Sequence, residues 1–303
     1  MSLARRPAWA LLFLFVAAAS QAAPRECPVF ESLLAIAPGP PAVITPPGFA
    51  PAPLPPLAAE SGAGLLASLH ELSGRGFRQH EYGEASNQLF SVVDSVERNG
   101  RRGVVDAYSG VFVPGTSTEG ADYRESGDQN ADGFVDSKGM NVEHTWPQAF
   151  FSKRLPMKSD LHHLLATFIH PNGVRGSMPF GEVRGSGEYR NNGGAKAGGG
   201  VFEPPDAAKG RVARAVLYFY TRYYDRNITN GVDSQAFWNS KLEMLLRWNR
   251  SFPPDELEKK RNSAVERFQG NRNPFIDDPS LADRVGVSGF QRASRWDAVP
   301  AHP

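Results

Sequence analysis

Between Ala37 and Leu57 the chain carries a dense crop of its 25 prolines, from Ala37-Pro38-Gly39-Pro40-Pro41 to Pro55-Pro56-Leu57. Proline fixes φ and removes the amide donor, so such a stretch builds neither a helix nor a strand ladder. It reads as an extended, polyproline-like spacer. Regular structure is therefore expected only beyond it, in a folded region over 60–283. That region is long enough for a sizeable core, and 41% apolar residues exclude a disordered chain. The single cysteine, Cys27, excludes a disulfide framework and a Cys-based zinc site. Lys and Arg number 33 against 32 Asp and Glu, so attraction to phosphate must come from a local patch and not from net charge.

The ends differ in character from this middle. Arg5 and Arg6 precede an apolar run from Ala8 to Ala19, and Ser20-Gln21-Ala22 supplies small residues at a cleavage position. Residues 1–22 read as an export signal, which implies a secreted or periplasmic protein. Residues 23–59 form the proline-rich linker, and 284–303 read as a short, polar, frayed tail.

Within the folded region Leu65, Leu66, Leu69 and Leu72 follow helical spacing, and a second helix is expected from Ala85 to Val96. The segment Gly103–Val113 is rich in Val and aromatic residues and reads as a strand pair or a bent strand. Met140-Asn141-Val142 leads into Glu143-His144 as a short strand. Asp160 is expected to cap a helix from Leu161 to about Pro171. The Gly193–Gly200 tract reads as a loop. Helices are then expected over 208–224, 237–248 and 256–268. Helix, strands, helix and a helical tail together make an α+β fold.

The chemistry concentrates in Asn141-Val-Glu-His-Thr-Trp-Pro147, Asp160-Leu-His-His-Leu164 and Pro171-Asn-Gly-Val-Arg175. Hydrolysis of a phosphodiester needs a base near neutral pH, a cation against the growing charge, and donors that hold phosphate oxygens. A carboxylate and an amide oxygen suit a hard ion such as Mg²⁺, and a guanidinium can clamp phosphate. Adjacent strand residues face opposite ways, so Glu143 and His144 can share a site only where the strand ends or twists. Two other readings remain open on these residues: a zinc hydrolase of another class using some of His144, His162, His163 and His170, and a calcium-binding module without catalysis. The second rests on Asp128-Gln-Asn130-Ala-Asp132-Gly-Phe-Val-Asp136, which starts like a calcium loop with oxygen side chains at alternate positions and Gly133 at the turn. The twelfth position, where a bidentate Glu is needed, is Gly139. Structural Ca²⁺ and a plain Asx-type turn are therefore balanced readings of this loop.

Asn141-Val-Glu-His-Thr-Trp-Pro-Gln148, Ser159-Asp-Leu-His-His-Leu164, Asn172, Arg175 and Met178-Pro-Phe-Gly-Glu-Val183 resemble the secreted endonuclease I family. The resemblance continues through Phe202-Glu-Pro-Pro205 and Gly210–Tyr218 to Gln269-Gly-Asn-Arg-Asn-Pro-Phe-Ile-Asp277, and covers roughly 62–283. It implies a ββα-metal nuclease core, a small mixed sheet embedded in additional helices, that cuts DNA and often RNA with little sequence preference. It makes His144 the general base and Glu143 and Asn172 the ligands of one Mg²⁺, with 5′-phosphate ends as products. A family arginine that holds the scissile phosphate has two candidates here, Arg154 and Arg175, of which Arg175 is preferred for its closeness to Asn172. Asn141, Asp160, His162 and His163 would support the site. On a helix His162 and His163 point about 100° apart, so at most one could face an ion. Arg184, Arg190, Arg211 and Arg214, with Arg154, are the expected contacts to the nucleic-acid backbone.

Overall fold

The computed structural model describes residue 57 and residues 59–116 and 118–292. The expected export signal, most of the expected linker and the last eleven residues lie outside the described residues. The first element is helix α1 (Gly62–Gly74), whose Leu65, Leu66 and Leu69 are buried. Helix α2 (Tyr82–Gln88) passes into a wider π turn over Leu89–Val93. The chain then turns into strand β1 (Ser95–Arg98), so the helix expected to reach Val96 stops short of it. Strands β2 (Arg101–Val105) and β3 (Phe112–Pro114) complete an antiparallel sheet in the order β1-β2-β3, with Ser95 opposite Val104 and Val104 opposite Val113. The Gly103–Val113 segment is thus a strand pair.

Strand β4 (Met140–His144) pairs antiparallel with β5 (Leu164–Phe168), from Met140 opposite Phe168 to His144 opposite Leu164. Helix α3 (Ile169–Arg175) follows β5 directly. This corrects the helix expected over 161–171. Asp160 does cap, but it caps one 3₁₀ turn, Leu161–His163, by accepting from the His162 amide at 3.1 Å. All five residues of β5 are buried, so the run shows no period that separates strand from helix. What decides it is pairing to β4, with Arg261 donating to the carbonyls of Leu161 and Leu164 at 3.0 and 2.5 Å.

The glycine-rich tract is also not a loop throughout. Strands β6 (Tyr189–Arg190), β7 (Lys196–Gly198) and β8 (Val201–Glu203) form a small antiparallel sheet, and Gly199-Gly200 makes the β7–β8 turn. The helical part comprises α4 (Asp206–Tyr223), α5 (Ser234–Phe237), α6 (Leu242–Ser251), α7 (Glu256–Gln269), α8 (Pro274–Asp277) and α9 (Ser280–Arg292). The fold is α+β.

Two apolar clusters hold these parts together. The larger gathers α1, α4, α6 and α9 around stacked rings, with Trp146 and Phe219 5.1 Å apart and Tyr220 and Trp238 4.2 Å apart. Trp146 also donates its indole N–H to the Ile228 carbonyl at 2.7 Å, which satisfies the polar end of a fully buried side chain. The smaller cluster lies between the first sheet, β5 and α7, around Phe90, Val104, Leu164 and Val265. Helix α9 runs on into the expected frayed tail, 284–303, and corrects its first part: Val285 and Phe290 are buried in the larger cluster beside Leu281 and Ala282. Gly286, at φ 65°, breaks the helix in the left-handed region that other residues avoid. The partner of this helix includes the end of the proline-rich segment, since Leu57 is buried and Arg284 donates to the carbonyls of Leu57 and Glu60.

Candidate active site

Helix α3 lies across β4 so that residues one turn apart reach successive strand positions. Asn172 donates its amide to Asn141 Oδ1 at 2.6 Å and to the Val142 carbonyl at 3.2 Å. Arg175, three residues on, donates to Glu143 Oε1 and to the His144 and Thr145 carbonyls, each at 2.8 Å. Both Asn172 N–H directions therefore point at the strand, and its carbonyl oxygen is left as an acceptor. The strand ends at His144, which lets that imidazole stand at the rim of the sheet beside Glu143.

His144 is about one-twentieth exposed, and its Nε2 lies 3.0 Å from the Lys158 carbonyl. A carbonyl only accepts, so Nε2 carries the proton and Nδ1 the lone pair. Burial, then the neighbouring His163, then the Lys158 and Arg175 charges lower its pKa to about 3. The imidazole is neutral at physiological pH and able to take a proton. Around it stand Tyr82 at 5.8 Å, His163 at 5.5 Å and Phe151 at 6.4 Å between ring centroids.

Glu143 is buried, and burial raises its pKa to about 7 against the opposing pull of Arg175. The buried Tyr108 hydroxyl is turned to Glu143: burial first, and then the Glu143 charge, raise its pKa, while the hydroxyl lowers that of the carboxyl. These are features that suit a divalent cation: a carboxylate with one oxygen held by Arg175 and an amide oxygen on Asn172 left free as its N–H groups bond the strand. All the donors are oxygens, the kind of set that a hard divalent cation takes.

Arg175 itself requires correction as a phosphate clamp. It is 1% exposed, its fork is spent on Glu143 and two carbonyls, and its guanidinium lies 4.5 Å over the Phe180 ring. Arg154, Arg184 and Arg190 are exposed. Arg214 is not a surface contact: it is buried and donates to Glu258, Asn249 and the Phe252 carbonyl. Arg211 is half-buried and paired with Asp94 at 2.9 Å. The two cations belong to the packing of α4.

The supporting residues divide in the same way. Asp160 is wholly buried and accepts from Tyr218 and Tyr223 at 2.8 Å and from Gln269 at 2.8 Å. His162 faces the Asn271 carbonyl and His163 the Met157 carbonyl, at 3.0 and 2.6 Å. Neither faces Glu143. His170 is turned to Asp132 at 3.0 Å, and although His144 and His163 are neighbours, the Nε2 atoms of His144, His162 and His163 each face a different main-chain carbonyl, Lys158, Asn271 and Met157.

In the 128–136 loop the oxygens are occupied by main-chain amides. Asp128 accepts from Asp132 and Gly133, Asn130 from Asp132, and Asp132 from Phe134, at 3.0–3.1 Å. Asp136 accepts from the His170 amide at 3.0 Å and so caps α3, the helix that carries Asn172. Gly139 has φ 94°, and a Cβ there would meet the Gly120 and Ala121 carbonyls at 2.5 and 2.7 Å. The backbone thus excludes the glutamate that a twelve-residue calcium loop needs, and the geometry is that of an Asx turn.

Sequence reasoning missed Tyr108, Tyr82 and Lys158. The first two lie far from the Glu143-His144 motif along the chain, and only packing brings them near.

An extracellular ribonuclease of Bacillus amyloliquefaciens is 36% identical over 156 residues, 48% of this chain and 53% of that protein. An extracellular deoxyribonuclease of Aeromonas hydrophila is 29% identical over 131 residues, 40% of this chain and 50% of that protein. An endonuclease-1 of Buchnera aphidicola subsp. Acyrthosiphon pisum (strain APS) is 28% identical over 122 residues, 40% of this chain and 45% of that protein. The chain spans about half the length of the curated relatives it matches. Among the described residues no helix is long and apolar enough to cross a membrane. The Endonuclease I family model matches residues 68–280, a span that contains β4, β5 and α3, and the chain belongs to that family.

Proposed function

We propose that this chain is an exported, Mg²⁺-dependent endonuclease that hydrolyses DNA and RNA without reading sequence. The observation that carries it is the fixed tautomer of His144: Nε2 is held by the Lys158 carbonyl, which leaves Nδ1 as a base at the rim of the sheet. In this reading β4, β5 and α3 form the ββα-metal core.

Glu143 and Asn172 would hold the ion, which when bound would offset charge on the phosphorane and the departing 3′ oxygen. His144 Nδ1 takes the proton of the attacking water. The Lys158 carbonyl, through Nε2–H, keeps the ring oriented and stabilises the imidazolium that results. Arg175 keeps Glu143 in place and supplies a buried positive charge behind it. The water oxygen bonds to phosphorus as the P–O3′ bond breaks; the 3′ oxygen leaves with the bonding pair and takes a proton from solvent, giving a 3′-hydroxyl and a 5′-phosphate. Exposed Arg154, Arg184 and Arg190 contact the backbone, which carries no base information.

The names of relatives support both substrates and both destinations: ribonuclease and deoxyribonuclease, extracellular and, for a second Aeromonas hydrophila protein, periplasmic. Plasmid DNA and a folded RNA, incubated with protein in EDTA and then in Mg²⁺ or Zn²⁺, test the proposal. Cleavage restored by Mg²⁺ and lost in His144→Ala is expected, with 5′-phosphates at the new ends. Intact substrate under every metal overturns it. Fractionation of producing cells tests export.

A further inference from the structure

Arg175 is buried against Glu143, and the other candidate, Arg154, is exposed and makes no side-chain hydrogen bond, ion pair or ring contact among the described residues, so nothing seats it beside His144. The residue whose carbonyl orients His144 has a side chain that the foregoing mechanism does not use. Lys158 is half-buried, and its Nζ lies 4.3 Å above the centroid of the Tyr82 ring. Tyr82 in turn stacks at 28° to the His144 imidazole. Among the described residues no carboxylate lies within ion-pair distance of Lys158. A cation that is seated on an aromatic face, unpaired and one ring away from the base is an unusual thing to bury halfway. An anion arriving at the imidazole would complete it.

We propose that Lys158, seated on Tyr82, is the cation that holds the scissile phosphate in this chain, in place of the arginine that the family resemblance led one to expect. This rests on the nuclease reading and adds to it a phosphate-binding residue and its platform. The ring occupies one side of the ammonium and fixes its approach; the remaining N–H groups are free for non-bridging oxygens. The ammonium acts as a point charge and not as a two-pronged fork. It therefore opposes charge build-up at phosphorus without dictating the orientation of the sugar or base, as suits a nuclease indifferent to sequence. Tyr82 is a positioning residue that acts through Lys158. Because the group that orients His144 is the main-chain carbonyl of residue 158, replacing the side chain leaves the base in place.

The test compares wild type, Lys158→Met, Lys158→Arg, Tyr82→Leu and His144→Ala on one duplex DNA in Mg²⁺ over a range of salt, with thermal melting of each. Lys158→Met is expected to melt with the wild type and to lose about 10²-fold in kcat/KM, as for removal of a single charge-stabilising donor. Its salt dependence on duplex DNA should flatten by about 0.9 in the log–log slope, the loss of one phosphate contact. Lys158→Arg should recover much of the activity and the slope, and Tyr82→Leu should lose about tenfold with the slope retained. A wild type that cleaves in Mg²⁺ while Lys158→Met stays within threefold of it, or loses activity with an unchanged slope, overturns this proposal and leaves the nuclease reading standing. A wild type that cleaves nothing overturns both.

Discussion

Replacing Arg175 by Met distinguishes a buried structural cation from a surface phosphate clamp. Arg175 makes three hydrogen bonds of 2.8 Å, one to the Glu143 carboxylate and two to the His144 and Thr145 carbonyls, from a side chain 1% exposed. Its removal leaves a buried carboxylate without its counter-charge, a change that typically costs 3–5 kcal/mol, or roughly 4 kcal/mol here. The two carbonyls add about 1 kcal/mol each at most, and the contributions overlap because all three bonds come from one group. Glu143 can escape by taking up a proton, since burial already raises its pKa to about 7. The loss should therefore be smaller at pH 5.5 than at pH 8. For a domain of this size each kcal/mol lowers Tm by about 2–4 °C, so a fall of roughly 8–16 °C is expected at neutral pH. Urea unfolding followed by fluorescence gives the free energy, and Arg175→Met/Glu143→Gln should recover part of it because no lone charge remains. A stability loss below about 1 kcal/mol, the range of exposed ion pairs, would refute this reasoning and return Arg175 to the phosphate.

His162 and His163 both have pKa values lowered to about 4 by burial, so each is neutral in the fold and protonates first in the unfolded chain. Their contribution is complete above the unfolded value near 6.5 and drains away as pH falls towards 4; the unfolding free energy from urea titrations should fall across that window by about 3 kcal/mol per histidine, and His162→Gln should flatten the slope. Asp136→Ala removes the cap on α3 and should cost about 1 kcal/mol in urea, with cleavage falling further because Asn172 rides on that helix. Phe290→Ala should cost about 3–5 kcal/mol, where a frayed tail would show no change. Thermal melts in Ca²⁺ and in EDTA should superimpose; a Ca²⁺-dependent rise removed by Asp128→Ala would restore a bound ion to that loop.

The elements legible in the sequence were those with an interior period. Leu65, Leu66 and Leu69 on α1 and Val212, Val216 and Phe219 on α4 repeat at helical spacing, and those faces are buried. The 161–168 run shows no period because it is buried throughout, His162, His163 and Thr167 included: full burial erases the alternation that marks a strand, and Asp160 makes a helix start plausible. Helix α9 was missed for the opposite reason, since Gly286 and Gly289 interrupt a short apolar pattern whose partners, on α1, lie more than two hundred positions earlier.

At the site, the family resemblance, and not spacing or residue type alone, singles out Glu143, His144 and Asn172; β4 and α3 lie together in the fold, with Asn172 and Arg175 bonded to the β4 strand. The charges were another matter. Arg175, Arg211 and Arg214 look alike in sequence as a basic stripe, yet two lie in the interior and the third is bound to Asp94. Whether a guanidinium meets solvent or a carboxylate depends on which elements close over it, a long-range property that local spacing does not encode. The same holds for Lys158 and Tyr82, 76 positions apart in numbering and joined only by packing. Composition and order determined the class of chemistry open to this protein; the tertiary structure decided which charges remain free to perform it.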